Sequence, residues 1–600
     1  MSWITETAAL YDEIKEKVNN SDEWEPILPL YHSTGNAQIQ VTIFSDGTFS
    51  HAEVVDADDA KTIIPVTEDS SSRSSGIAPH PLCDKLIYIS GDYSTYVAKA
   101  KSNADEYFVT YIKALKAWAE SEYSDICITA IYDYLSKRML INDLIGDGIL
   151  KLKDAVLDEE YKITKSVKQI DSFVRFVVND LDSGENIKVW KSKVLFDKYI
   201  AYYESLGKKR DCQLCYASGK IVPVTYKHMA RIRNSGDSAK LISSNDDSNF
   251  TYRGRFANRE EAFAVGEIVS QKAHLALRWL IKTGGISVGD EKYVAWESRL
   301  NEIPNVFGRI VLDESENSGS FVKDKDDKVY AKTAEQYKNI IEMAIKGYKK
   351  NLNLNSSKVI LMALDSATPG RLSIIMYQEL TSTDFYKNIQ DWYSKVYWHS
   401  CYKTDDGEVI HCVQTPTPIE IARCAYGNER DGDLIIDYKS GIFKTVIKQI
   451  YPCITLGVRF PENILKRIFT RASNPQLYSE QNNWKRVLDV CCALYRKYYE
   501  DKGVELTMEL DRSYNNRSYL YGRLMAVAEK LETDTYDDNE ARMTNAARFM
   551  NSVIASPYKS WGNVSKRLDP YMKRIINKNY GLYVYYNCLL YTSPSPRDRS

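Results

Sequence analysis

Residues Ala37 to Val55 read AQIQVTIFSDGTFSHAEVV, and this stretch decides the fold class. Apolar and polar residues alternate on both sides of Asp46-Gly47. Alternation with period two marks a strand with one face packed, and Asp-Gly between two such runs marks a hairpin turn. Helical spacing surrounds this β element. On the N-terminal side, Ile4, Leu10, Ile14 and Val18 recur near helical spacing, which predicts an amphipathic helix. On the C-terminal side, the polar loop TEDSSSRSSGIAPHPLCDKL (67–86) gives way to helical patterning from about Tyr93 to Leu152. YFVTYIKALKAWAE (107–120) is its clearest helix, with its apolar residues on one face.

The same reading extends down the chain. VRFVV (174–178) is a strand, EEAFAVGEIVSQKAHLALRWLIKT (260–283) is one long helix, and KVILMALDSATPGRLSIIMYQEL (358–380) is two strands about a Pro-Gly turn. From about Lys485 onward helices dominate. The expected class is α+β: a mixed α/β N-terminal body over residues 1–484 followed by a C-terminal helical bundle over 485–587. The final stretch CLLYTSPSPRDRS (588–600) breaks the helical pattern and looks like the translation of a transposase-end adapter, so it is expected to lie outside the natural fold.

The chain has 600 residues, enough for more than one domain, and a formal net charge of -2. Any anion-binding surface must therefore be a local patch. Tyrosine is in excess, 44 against 16 Phe, which suits wet interfaces. The 11 Cys are irregularly spaced, no basic signal region opens the chain, and no apolar run is long enough for a bilayer. A cytoplasmic protein with reduced thiols is expected.

Catalytic motifs are scarce. The seven His contain no HExxH or HxH pair, and neither GxxxxGK[ST] nor GxGxxG occurs. Asp246 and Asp247 are adjacent carboxylates able to hold a metal, or simply to cap a turn. Cys212 and Cys215 form a CxxC, half of a zinc site, which Cys401, His411 and Cys412 could complete only from far away in sequence. Free thiols are the plainer reading.

Cations are more informative. Between Gly207 and Arg233 lie Lys208, Lys209, Arg210, Lys220, Lys227, Arg231 and Arg233 against the single acid Asp211, with Tyr216 and Tyr226 interleaved. Such clusters suit a nucleic-acid strand, charges taking phosphates and rings stacking on bases; a solvated charged face is the alternative. In NFTYRGRF (249–256), read as a strand, Phe250, Tyr252 and Phe256 point one way, and Arg253 and Arg255 the other. These guanidiniums match phosphate geometry, or pair with Glu260 and Glu261. On the helix SQKAHLALRW, Lys272, His274 and Arg278 could extend the patch.

Several stretches together resemble one family: YHSTGNAQIQVTI, IIPVTEDSSSRSSGIAPHPLCDKLIYISGDY, FVRF, AKLISSNDDSNFTYRGRF, SQKAHLALRWLI, LMALDSATPGRLSIIMYQEL, PTPIEIARCAYG and YLYGRLMAVAEKLE. Their order and spacing look like the large subunit of type I-C CRISPR surveillance (Cascade) complexes. The resemblance implies a non-enzymatic protein without a cofactor. Such a subunit reads the protospacer-adjacent motif (PAM) in duplex DNA, holds the displaced strand and helps recruit the helicase–nuclease. Implied partners are crRNA, target double-stranded DNA, the backbone and crRNA-processing subunits and a small subunit; no membrane is involved. The family's helical bundle resembles that small subunit, and Met508 is placed for an internal start. Under this resemblance Arg253, Arg255, Lys240, Asn245 and Lys272 are expected to contact nucleic-acid backbone, together with Lys208, Lys209, Arg210, Arg231 and Arg233. Ser72, Arg73 and Ser75 are expected to line a DNA groove, and Asn36 and Gln38 to read base edges. The competing expectation is a metal-dependent nuclease or RNA-processing enzyme built on Asp246, Asp247 and His274.

Overall fold

The structure, a computed structural model, describes residues 2–18, 26–71, 73, 76–98, 102–207, 212–234, 237–242, 256–313, 318–322, 331–350, 357–368, 370–403, 409–537 and 542–592. The chain divides into two units. One comprises Met1–Ile286, Lys292–Leu300 and Leu361–Tyr377; the other comprises Ser287–Glu291, Asn301–Ile360 and Gln378–Ser600.

In the first unit the expected hairpin forms. Strand Ile39–Phe44 pairs antiparallel with Phe49–Val54 and parallel with Val174–Asn179, whose other edge takes Asn186–Lys188. Gly47 turns the chain at φ 76°, and the Asp46 carboxylate accepts from the Thr48 amide at 2.8 Å. Ile39, Val41 and Ile43 are wholly buried under the helices Ala104–Ala119 and Ile126–Ser136. Burying each such side chain stabilises by about 1.5–3 kcal/mol.

The opposite face of the strand is polar yet also covered. Its neighbour Arg175 is only 2% exposed, stacks 3.8 Å over Trp190 and donates to Gln40 Oε1 at 3.0 Å and Asp59 O at 2.7 Å. A guanidinium survives there because its donors are met within the fold.

The long helix expected over 260–283 is broken. A short helix Arg259–Ala262 ends, Val265–Gly266 pairs as a strand with Val224 and Thr225, and the helix Glu267–Gly284 begins only then. Gly266 is the reason. Its amide donates to Cys215 Sγ at 3.1 Å, and a Cβ there would meet Val222 at 2.9 Å. Glu267–Gly284 then packs along the N-terminal helix Trp3–Val18. Lys358–Thr368 and Arg371–Thr381 form the expected strand pair about Gly370, at φ 90°. Val359 to Leu364 are buried throughout, as an interior strand flanked by Glu291–Glu297 and Arg371–Thr381 requires.

The second unit is mainly helical. Residue 485, where the sequence pattern turns helical, falls inside the helix Gln481–Glu500 rather than at a linker. Arg496 of that helix stacks 3.8 Å over Tyr397 and donates to the carbonyls of Ser394 and Lys395, which ties it to the helix Ser382–Lys395. A separate helical core starts at Arg517. Its helices are Arg517–Thr533, Asn545–Ala555, Pro557–Lys578 and Tyr580–Thr592, closed over Met525, Leu531, Val553, Val564, Leu568 and Tyr586. The last helix runs beyond the point where the sequence pattern breaks, with Leu589 and Leu590 packed on this core. The mixed α+β class therefore holds.

Candidate nucleic-acid interface

Eight of the candidate contacts lie outside the described residues: Ser72, Ser75, Lys208, Lys209, Arg210, Asn245, Arg253 and Arg255. Asp246 and Asp247 do so too. The other candidates all belong to the first unit.

Gln38 is buried, and its side-chain amide is occupied by backbone. Oε1 accepts from the Phe173 amide at 2.8 Å, and Nε2 donates to the Asn36 carbonyl at 2.8 Å. It joins strand to strand and presents nothing to a base edge, which corrects that expectation. Asn36, at the end of strand His32–Asn36, keeps an exposed side chain.

Arg73 is not a loose groove-lining residue. It forks onto Asp84, Nη2 to Oδ1 at 2.5 Å and Nη1 to Oδ2 at 2.7 Å, donates to Ala78 O and stacks 4.4 Å from the Tyr88 ring. Asp84 is fully buried and also accepts from the amides of His80 and Lys85. Arg73 thus clamps the segment from Ala78 to Tyr88. Arg233 is likewise paired, with Asp237 at 2.7 Å, and Lys272 with Asp12 at 2.7 Å. The Lys272–Asp12 bridge has an exposed carboxylate, so phosphate could displace it at little cost.

Lys240 gains most from tertiary structure. Its backbone bridges to the turn at Gly370: Lys240 N donates to Gly370 O at 3.2 Å, and Leu372 N to Lys240 O at 3.0 Å. That bridge sets Lys240 beside Arg371. Burial lowers the pKa of the Lys240 ammonium, and the charge of Lys227 lowers it further against the opposing Glu68. Lys227 itself is exposed and pairs with Asp69 at 2.5 Å. Arg231 is exposed at φ 61°, and its charge, with that of Arg73, acts on buried His80. Lys227, Lys240 and Arg371 thus stand close together. Arg371 directly follows the Gly370 turn, and no local signal in the sequence shows Lys240 as its neighbour.

Beneath Lys227 lies a cavity of about 30 Å³, bordered by Thr67, Glu68, Thr225, His228 and Ser270. It is polar and has room for water. His228 Nδ1 lies 2.8 Å from Ser270 Oγ, and burial pushes this imidazole down to about 3.

The metal-centred expectations fare differently. His274 is wholly buried on Glu267–Gly284, its Nδ1 2.6 Å from Ser270 O, and burial lowers it to about 4. Cys212 begins the strand Cys212–Leu214 and is exposed, whereas Cys215 follows the strand's end and is buried, so the two thiols do not face one site. Cys401 faces His411 across the pair Trp398–Lys403 and Val409–Gln414, while Cys412 faces Ser400 and is buried. Among the described residues no group of three or more His, Cys, Asp or Glu could hold a metal ion. The run Gly285-Ile286-Ser287-Val288-Gly289 has GxSxG spacing, which the motif reading passed over. Its serine lies within the strand Ile286–Val288, following a helix, and not on a strand-to-helix elbow.

No helix among the described residues is long and apolar enough to cross a membrane. Among curated proteins, none matches the chain. The profile of one protein family matches residues 9–591, nearly the whole length. The chain belongs to the Cas_Csd1 family of CRISPR-associated proteins.

Proposed function

We propose that this chain is the non-catalytic large subunit of a type I-C crRNA-guided surveillance complex. It reads the PAM in duplex DNA, holds the opened strands and offers a surface to the helicase–nuclease. The observation that carries the reading is the gathering of Lys227, Arg231, Lys240 and Arg371 in one unit of a nearly neutral chain, in the region that also carries the Lys208–Arg210 and Arg253–Arg255 cations in sequence. Family membership supplies the setting. Phosphates are the ligand such a patch suits, since cation–phosphate contacts supply affinity without reading sequence.

The test is binding of a guide-matched duplex by the complex assembled with its crRNA, measured across a salt series. Log affinity falls linearly with log salt, and Arg253→Ala or Arg255→Ala each reduces the slope by about one. No cleavage accompanies binding by the complex without its helicase–nuclease. Metal-dependent cleavage lost in Asp246→Ala overturns the reading, as does affinity indifferent to salt.

A further inference from the structure

Only three of the seven His are exposed, His51, His399 and His411, and two of them share one face of one hairpin. The strands Trp398–Lys403 and Val409–Gln414 pair antiparallel, with Cys401 opposite His411 and His399 opposite Val413. Side chains two residues apart on a strand, and those directly opposite each other, point to the same side. His399, Cys401 and His411 therefore share a face, and all three are exposed.

The hydrogen bonding fixes how close Cys401 and His411 come. The Val413 amide donates outward to Ala331 O at 2.7 Å, away from its partner strand. His399 and Val413 are thus a non-hydrogen-bonded pair, and two residues along so are Cys401 and His411. Pairs of this kind are the narrow ones, with Cα atoms about 4.5 Å apart and side chains within reach of each other. A thiolate sulfur and an imidazole nitrogen holding one metal ion between them stand about 4 Å apart, the sum of two metal–donor bonds. The narrow pair spans that distance.

The donor set says which metal. No three donors stand together among the described residues, so the face supplies two. A structural zinc site asks for four protein donors and a catalytic one for three. Calcium and magnesium ask for oxygen donors, which neither side chain has. A soft monovalent ion takes thiolate and is held by as few as two donors.

We infer that Cys401 and His411 form a two-donor surface site for a soft, low-coordinate metal ion of the Cu(I) type. The thiolate makes one bond and an imidazole nitrogen the other. The thiol proton leaves to solvent as the metal–sulfur bond forms, so binding tightens as pH rises. The pair lies in the second unit and is independent of the DNA-reading role proposed above.

The probe is Cu(I), kept reduced by ascorbate and buffered with bicinchoninate, titrated into the full chain. The wild type takes one equivalent at a bicinchoninate concentration where Cys401→Ser takes none. His411→Gln loses at least about tenfold in affinity, since even the outer-shell partners of a metal site are worth that much. Cys212→Ser, which removes an exposed thiol facing Pro223, retains wild-type binding, and so does His399→Gln, whose imidazole faces Val413. All four variants change exposed side chains only. X-ray absorption at the copper edge shows one sulfur and one nitrogen donor. Equal affinity of the wild type and His411→Gln overturns the site, because the thiol then binds alone. Sulfur-only coordination, the mark of a metal bridging two chains, also overturns it, as does an equivalent retained by Cys401→Ser.

Discussion

Gln38 separates what a residue type suggests from what its position allows. An amide beside a hairpin suggests base reading, yet both ends of this one close backbone groups, the buried Phe173 amide and the Asn36 carbonyl. Gln38→Ala leaves the buried Phe173 amide unmet, and such an orphan costs about 1–3 kcal/mol. The variant is expected to lower the urea midpoint of the first unit, followed by tryptophan fluorescence. Arg73→Ala strands the buried Asp84 carboxylate and is expected to cost about 3–5 kcal/mol. Arg73→Lys recovers only part of this, since an ammonium cannot fork. Either change read as a loss of DNA affinity alone, with stability intact, contradicts the clamp.

Four buried imidazoles set a pH response at the same scale. Burial holds His228 down to about 3, and His32, His80 and His274 down to about 4. Their unfolded value is about 6.5. As pH falls from about 6.5 towards 4, the unfolded chain takes up protons that the folded chain refuses, so stability falls with pH across that window. Above about 7 these groups are neutral in both states and contribute no slope. Urea midpoints measured from pH 7.5 to 4.5 are expected to decline in this sense, and His274→Leu to flatten the decline.

Among elements, the C-terminal helices have the clearest independence. Their core of Met525, Leu531, Val553, Val564 and Tyr586 is drawn wholly from residues after Met508. Glu532 ties the helix Arg517–Thr533 to the next one: its carboxylate accepts from Tyr536 Oη at 2.7 Å and from the Asn545 amide at 2.7 Å. A fragment starting at Met508 is expected to be helical and to melt cooperatively by circular dichroism. Glu532→Ala removes an acceptor of several hydrogen bonds, costs about 1–3 kcal/mol and lowers that melting temperature. A fragment without a melting transition contradicts an autonomous bundle. The helix Gln481–Glu500 stays with the body, because Arg496 and Trp484 anchor it to Ser394, Lys395 and Ala472.

Over the whole molecule, charge is the deciding quantity. A net charge of -2 offers no long-range attraction for DNA, so the proposed binding has to come from local cations. Several of the cations expected at the interface, Arg73, Arg233 and Lys272, have carboxylate partners within the fold. Removing Arg73 or Arg233 is therefore expected to leave the salt slope of DNA binding unchanged, whereas Lys220→Ala reduces it. Filter binding at several salt concentrations checks both.

What was legible in the sequence follows from period and local chemistry. The hairpin about Asp46-Gly47, the strand pair about Gly370, the amphipathic N-terminal helix and the helical stretch from about Lys485 onward all follow from spacing that any chain must obey to bury one face. The basic run was visible as composition. Tertiary structure alone decided the rest. The helix over 260–283 is interrupted because a strand from elsewhere pairs with Val265 and Gly266. Arg73 is a clamp because Asp84 is buried beside it, Cys212 and Cys215 part because one is exposed on a strand and the other is buried just past its end, and Lys240 meets Arg371 through a single bridge. Periodicity tells which way a side chain points relative to its own element. Only the packed fold tells what stands opposite, and for polar groups the neighbour decides whether the group supports the structure or faces a ligand.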